Sequence, residues 1–162
     1  MKRFIIILLS IFLFSGVTTK IALADTNYTK DIVGITMENI NEILRASTEI
    51  NSIIEGKTQK QDIDKINIII SDMLEGSHEM PAFGVSLDNE TRMAKQSGTW
   101  IELIYDKTYT HLDMPFDKLL IEVNPEFSGF NIIRHHNGEY SGRCYYINLD
   151  GNMQELYNYL HC

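Results

Sequence analysis

Motifs with recognised chemistry are absent from this sequence. It has no glycine-rich phosphate loop, no serine nucleophile elbow and no basic patch of the kind that binds nucleic acid. The histidines lack the i, i+4 helical spacing of a zinc protease, and the adjacent His135 and His136 point to opposite faces of a strand. The sequence therefore predicts no cofactor, no metal site and no nucleic-acid partner.

Cysteine is also scarce, with two residues in a chain of 162. No cysteine follows the apolar run near the N-terminus, which argues against a lipoprotein anchor. In an exported protein Cys144 and Cys162 are expected to form one disulfide, closing a loop of about nineteen residues and constraining the unfolded chain by about 3 kcal/mol. The alternatives are a buried thiol at Cys144 and a frayed thiol at the last residue.

The N-terminus has the three parts of a secretory signal peptide. Lys2 and Arg3 precede an apolar run over residues 4–17, and residues 22–24 have the small-x-small form that signal peptidase cuts. The run is short for a membrane span, which needs about twenty residues. We therefore expect a signal peptide over 1–24 and bacterial-type export to the medium or the cell envelope. Membrane attachment would require that the signal be retained.

Basic residues are few relative to acidic ones. The whole chain has 14 Lys and Arg against 22 Asp and Glu. Every acidic residue lies after residue 24, so a mature chain has eleven basic against 22 acidic residues, a formal charge of −11. Such a charge repels nucleic acid and anionic lipid and attracts a cationic protein. The simpler interpretation is that the charge keeps an extracellular protein soluble.

Isoleucine-rich stripes dominate the first half of the mature chain. Between residues 29 and 55 apolar side chains recur at the spacing of one helix face, and a second stripe covers 61–75. The short link over 56–58 predicts an antiparallel helical hairpin over 29–75. We expect this hairpin to pack on a sheet of its own chain. The alternative is that it forms a homodimer or holds a partner helix.

The second half, residues 82–162, has the pattern of an antiparallel sheet. A linker is predicted over 76–81, a short strand over 82–87 and a helix from Asp88. The further predicted strands are 99–106, 118–124, 129–136 and 139–149, with a loop over 107–117 and a terminal helix over 153–161. The sequence thus predicts one α+β domain over 25–162, in which the helical hairpin and the terminal helix pack on four to five strands.

Asn137-Gly138 is the clearest turn in the sequence. Both residues accept the positive φ that a type I′ turn demands, so the flanking strands are predicted to form a hairpin. In that register Phe130 faces Tyr145. Because strand side chains alternate, one face is predicted to be core. It carries Phe130, Ile132, Tyr145, Ile147 and Leu149.

The other face of these strands mixes aromatic and polar side chains. It supplies the candidate site residues Trp100, Glu102, Glu122, His135, Tyr140 and Tyr146. Aromatic side chains anchor protein contacts, and carboxylates speed encounter with a cationic partner. A carboxylate beside a histidine also orients the imidazole and raises its basicity, as a general base requires.

Two functions of different classes follow from that face. The preferred one is an exported, acidic, non-catalytic binding protein, for example an inhibitor or immunity protein against a basic toxin or enzyme. The alternative is a small secreted hydrolase in which His135 acts with Glu122 or Glu102. A pocket that holds His135 within hydrogen-bond reach of a carboxylate would favour the enzyme.

Overall fold

A computed structural model describes residues 35–37, 39–82 and 84–162. The predicted signal peptide and the start of the predicted helical hairpin, residues 29–34, lie outside the described residues. Within them, no helix has the length and apolarity needed to cross a bilayer. Signal cleavage, export and the single domain over 25–162 stay predictions.

Short helices alternate with strands along the chain. The strands are β1 (Ile35–Thr36), β2 (Glu49–Ile54), β3 (Lys57–Lys60), β4 (His78–Met80), β5 (Val85–Ser86), β6 (Thr99–His111), β7 (Met114–Glu122), β8 (Gly129–His135), β9 (Gly142–Arg143) and β10 (Tyr145–Asn148). The helices are α1 (Ile40–Arg45), α2 (Ile63–Met73), α3 (Asp88–Ala94) and α4 (Gln154–Leu160). This is the α+β class that the sequence predicts.

Seven strands form a large antiparallel sheet in the order β3-β2-β6-β7-β8-β10-β4. β1 extends it as a parallel partner of β6, and β5 pairs with β9 in a separate ribbon. The predicted antiparallel sheet is confirmed, but the predicted four to five strands are too few. The additional strands come from a segment predicted to be helix, as in β2, from the predicted link between the two helices, as in β3, or from the predicted linker over 76–81, as in β4.

The predicted N-terminal helical hairpin is wrong within the described residues. α1 ends at Arg45, and residues 49–60 form β2 and β3. Glu55 and Gly56 have φ of 48° and 76°, the mirror-image turn that suits two twisted strands. The helical pair on which the homodimer alternative rested is therefore not found among these residues, although α2 confirms the second predicted helix.

Ile50 and Ile53 show why the spacing of apolar residues wrongly predicted a helix in place of β2. Three residues apart, they suggest one helix face, yet in β2 they point to opposite faces of the sheet. Both are buried, because Ile50 belongs to the main core and Ile53 to a second cluster on the other side. A strand covered on both faces loses the simple alternation that marks strands in sequence.

The main core lies between one face of the sheet, the inner face, and helices α1, α2 and α4. The strands contribute fully buried side chains: Ile101, Leu103, Leu119, Ile121, Ile132, Tyr145 and Ile147. The helices contribute Ile43, Leu44, Ile66, Ile70 and Leu156. The terminal helix thus packs on the sheet as predicted.

The Asn137-Gly138 turn is confirmed, with φ of 52° and 86°. Farther from the turn, however, Tyr145 faces Ile132 and not Phe130, a shift of two residues from the predicted register. The extra residues are accommodated by β9, which leaves the main sheet to pair with β5. Because a shift of two preserves the facing of every side chain, the predicted core face remains buried.

The predicted disulfide is absent, and both cysteines are free thiols. Tyr145 points to the inner face, so its neighbour Cys144 points to the opposite side, where it lines a cavity with Trp100. Cys162 follows α4, which packs on the inner face. The sheet therefore separates the two thiols.

We expect the two thiols to differ in reactivity. Cys162 is exposed, whereas burial raises the pKa of the Cys144 thiol. Because the thiolate is the reactive form, a thiol reagent at neutral pH should titrate one thiol in the folded protein and two in denaturant. The structure would be contradicted if no thiol reacted in denaturant until a reductant was added.

Candidate functional site on the outer face of the sheet

The outer face is the side of the sheet opposite the main core. It carries a small buried cluster of Ile53, Trp100, Leu120 and Tyr140, partly covered by α3. All six predicted site residues belong to this face, but the structure divides them into two groups. Tyr140 contacts Glu102 and His135, whereas Trp100, Glu122 and Tyr146 line one cavity.

The first group is built around Tyr140. Its hydroxyl donates a hydrogen bond to the Glu102 carboxylate. Lys95, at the end of α3, places its Nζ 3.0 Å from Glu102 Oε1 and 3.1 Å from the Tyr140 hydroxyl oxygen. The Lys95 Nζ also lies 4.6 Å from the centre of the Tyr140 ring, within cation–π range. Sequence reasoning missed Lys95, because nothing local shows that α3 folds back over this face.

A polar clamp fixes α3 on the hairpin tip. Asp88 Oδ1 accepts a hydrogen bond of 2.7 Å from the backbone amide of Tyr140, and Asp88 Oδ2 lies 2.7 Å from Arg92 Nε. Arg92 in turn donates to the Gly138 carbonyl at 2.8 Å. The Arg92 guanidinium and the Tyr140 amide hold the pKa of Asp88 below its ordinary value. Asp88, at which the helix was predicted to begin, therefore also links α3 to the hairpin.

Burial and hydrogen bonding change the pKa of Glu102 in opposite directions. Burial alone would raise its pKa, but the hydrogen bonds from Tyr140 and Lys95 outweigh burial, so the pKa falls below its ordinary value. For Tyr140, burial and hydrogen bonding both raise the pKa. Burial, followed by the hydrogen bond to Glu102, raises the pKa of Tyr140 far above its ordinary value. Glu102 is thus kept ionised and Tyr140 neutral.

We expect this pair to make folding sensitive to both acid and alkali. Since the pKa of Glu102 is lowered on folding, its contribution is present above the unfolded value of about 4.3 and is lost as pH falls through the folded value. Since the pKa of Tyr140 is raised, its contribution is present below about pH 10 and is lost as pH rises further.

Tyr140→Phe tests this prediction. The variant should be about 1–3 kcal/mol less stable to urea at neutral pH, because Glu102 loses a buried donor. Above pH 10 it should lose less stability than the original protein, because the ionising hydroxyl has gone. Parallel stability curves for the two proteins from neutral to alkaline pH would contradict the assignment.

His135 also belongs to the first group. Its Nδ1 lies 2.5 Å from Asp117 Oδ1, and its ring meets the Tyr140 ring edge-on, with centroids 4.8 Å apart. The predicted partners of His135 are therefore wrong. Glu102 accepts hydrogen bonds from Lys95 and Tyr140, and Glu122 lines a cavity that does not include His135.

Asp117 was missed because it belongs to a segment predicted to be a loop. β6 in fact continues to His111 and β7 begins at Met114. Phe116 and Leu119 both lie in the core although they are three residues apart, so the alternation of β7 breaks between them. The β6–β7 register shifts at the same place, and such an irregularity redirects a side chain. Asp117 thereby reaches the face that carries His135.

The second group lines two adjacent cavities. The first, of about 270 Å³, is walled by β5, α3 and the sheet, and includes Val85, Leu87 and Glu90. The second, of about 160 Å³, includes Glu122, Phe127 and Tyr146. Both are also lined by Trp100, Asn131 and Ile133, so they lie side by side. We call the two cavities together the Trp100 groove.

Exposed apolar side chains concentrate around the Trp100 groove. Val85 is 69% exposed, Leu87 55% and Phe127 43%. Met80, 38% exposed, is paired with Tyr146 in the sheet and so lies on the same face. These are four of the seven large exposed apolar side chains among the described residues. An apolar patch gathered at a groove is typical of a binding surface.

The charges in the groove have one sign. Glu90 lines the first cavity and Glu122 the second, and no basic side chain lines either. In the part of the chain that the structure describes, no ion pair involves Glu90 or Glu122. Each cavity therefore combines apolar walls with one carboxylate that has no cationic partner.

Outside the outer face, the described residues offer no metal site but line a further cavity. Within residues 35–37, 39–82 and 84–162, no three His, Cys, Asp or Glu side chains converge as a metal site would require. A larger open cavity of about 950 Å³ lies between the end of α2 and the start of α4, lined by acidic and amide side chains together with Met73 and Leu156, and its described lining has no aromatic wall. An acidic cluster alone does not define a ligand, and we assign none to it.

Comparison with known proteins gives no family. No family model, no curated protein and no solved structure matches the chain.

Proposed function

We propose that the protein is an exported, acidic, non-catalytic binding protein of the inhibitor or immunity type, and that it recognises a cationic protein through the Trp100 groove. The observation that carries this proposal is the groove itself, where exposed apolar side chains surround two cavities and where, among the described lining residues, the charged groups are carboxylates.

The residues of the groove suit the two parts of protein recognition. Phe127 and Tyr146 can anchor a partner, because aromatic side chains bury large areas at interfaces with little loss of conformational entropy. The acidic residues of the chain, which outnumber the basic ones by 22 to 14, would speed encounter with a basic partner.

Photo-crosslinking in the producing cells tests the proposal. A photoreactive amino acid at Phe127 should yield a discrete adduct with a basic protein, and high salt should suppress it. The matched control places the same group at Ile68, which is 63% exposed on α2. The proposal would fail if Phe127 gave no adduct, or if both positions gave the same set of adducts.

A second candidate, hydrolysis, is favoured by the His135–Asp117 hydrogen bond. With Nδ1–H donating to the carboxylate, Nε2 is left as the acceptor that a general base needs. Against it, His135 lines neither cavity of the groove. In a hydrolase, Asp117→Asn and His135→Gln should each abolish a measured esterase or peptidase activity in variants that still unfold cooperatively in urea. Activity that survives in both variants would rule this mechanism out.

A further inference from the structure

The Trp100 groove has the chemistry of a site for basic side chains. Arginine and lysine combine an apolar stem with a cationic head, so the stem can pack on an apolar wall while the head reaches a carboxylate. Each cavity offers such a wall, with Val85 and Leu87 in the first and Phe127 and Tyr146 in the second. Each also offers one carboxylate without a cationic partner, Glu90 or Glu122.

Other occupants fit less well. A purely aliphatic side chain would take water from Glu90 or Glu122 and leave the carboxylate unpaired, which is costly. An acidic segment would be repelled by both. The cavities, of about 270 and 160 Å³, are also smaller than the roughly 300–1,000 Å³ of most small-molecule sites, and are better matched to single side chains.

Trp100 is a fixed and largely buried wall of the groove. Its indole lines both cavities, and its Nε1 donates to the Ser97 carbonyl at 2.8 Å, which fixes the ring. A planar guanidinium can pack against that wall and bind a carboxylate with two hydrogen bonds, which the ammonium group of lysine cannot do in the same geometry. Arginine is therefore expected to bind better than lysine.

We infer that the Trp100 groove binds an extended segment of the partner protein in which two arginine or lysine side chains enter the two cavities and pair with Glu90 and Glu122. Alternate residues of an extended segment point to the same side, so residues i and i+2 can reach two cavities that share one wall. This inference rests on the proposed function, because it names the partner chemistry of the same groove.

The chain carries its own probe for this binding. Trp100 is the only tryptophan, so its fluorescence reports on the groove without labelling. The purified protein is titrated with the peptide acetyl-Gly-Arg-Gly-Arg-Gly-amide and with a matched peptide in which citrulline replaces arginine. We expect a saturable change in Trp100 fluorescence with the arginine peptide, and at least about tenfold weaker binding of the uncharged peptide.

Matched variants separate the groove from general charge attraction. Glu122→Gln and Glu90→Gln should each weaken binding of the arginine peptide about tenfold, because each removes one charge-assisted contact. Glu155→Gln makes the same change in net charge at an exposed position on α4 and should leave affinity within about twofold. All three side chains are exposed, so folding is not at risk.

Three results would overturn the inference: no fluorescence response to the arginine peptide up to millimolar concentration, equal affinity of the citrulline peptide, or equal weakening by Glu122→Gln and Glu155→Gln. If the peptide test fails while Phe127 still crosslinks to a basic protein, the arginine mode is wrong and the proposed function remains. If both fail, both are wrong.

Discussion

A chain that begins at Ser77 is expected not to fold. The deletion removes β2, which pairs with β6 over six residues, and α2, whose Ile66 and Ile70 are fully buried in the main core. β6 would become an exposed edge with unpaired backbone groups, and the inner face would lose its largest helix. We therefore expect an aggregated or molten product, whereas a chain that begins at Asp25 should be monomeric and cooperatively folded.

Gel filtration and urea unfolding, followed by Trp100 fluorescence, distinguish the two outcomes. The Ser77 chain should elute as aggregate or show no cooperative transition. A monomeric Ser77 chain with a sharp transition would mean that residues 82–162 form their own domain and that β2 and α2 are dispensable.

Leu103→Ala should be the most damaging of the single substitutions discussed. Leu103 is fully buried at the centre of β6, opposite Ile50 on one side and Leu119 on the other, both also fully buried. The cavity left between these buried side chains is expected to lower the free energy of unfolding by about 2–5 kcal/mol. Urea unfolding measures this as a lower midpoint at unchanged slope.

Ile68→Ala is the matched control for that substitution. Ile68 is a large aliphatic side chain on α2 that is 63% exposed, so its truncation removes little buried surface. The expected change is within about 0.5 kcal/mol. Similar losses in Leu103→Ala and Ile68→Ala would contradict the placement of the core on the inner face.

Local chemistry explains what could be predicted. The Asn137-Gly138 turn, the second predicted helix and the helix beginning at Asp88 depend on residues close in sequence, and each agrees with the structure. The buried face of the last hairpin was also correct, because alternation survives a register shift of two. The turn at Leu112 and Asp113, by contrast, needs positive φ at both residues. Aspartate tolerates this conformation but leucine rarely adopts it, so the sequence did not indicate a turn here.

Strand alternation predicted that the six candidate residues share one face of the sheet, but it did not predict their two groups. Trp100, Glu102 and Tyr140 were placed on the correct face by strand alternation alone. The partners Lys95 and Asp117 were not found, because one comes from a helix that folds over the face and the other from a break in β7.

By itself, the sequence determined the antiparallel sheet of the second half, its buried face, the acidic balance and the absence of known catalytic motifs. These depend on composition and on contacts between near neighbours. The tertiary structure alone decided that residues 49–60 form the strand pair β2 and β3. It also decided that Glu90 and Glu122 line two adjacent cavities that share Trp100 as a wall. The physical reason is that isoleucine is buried equally well in a helix or in a strand covered on both faces. Its state is therefore set by the distant β6 with which it pairs.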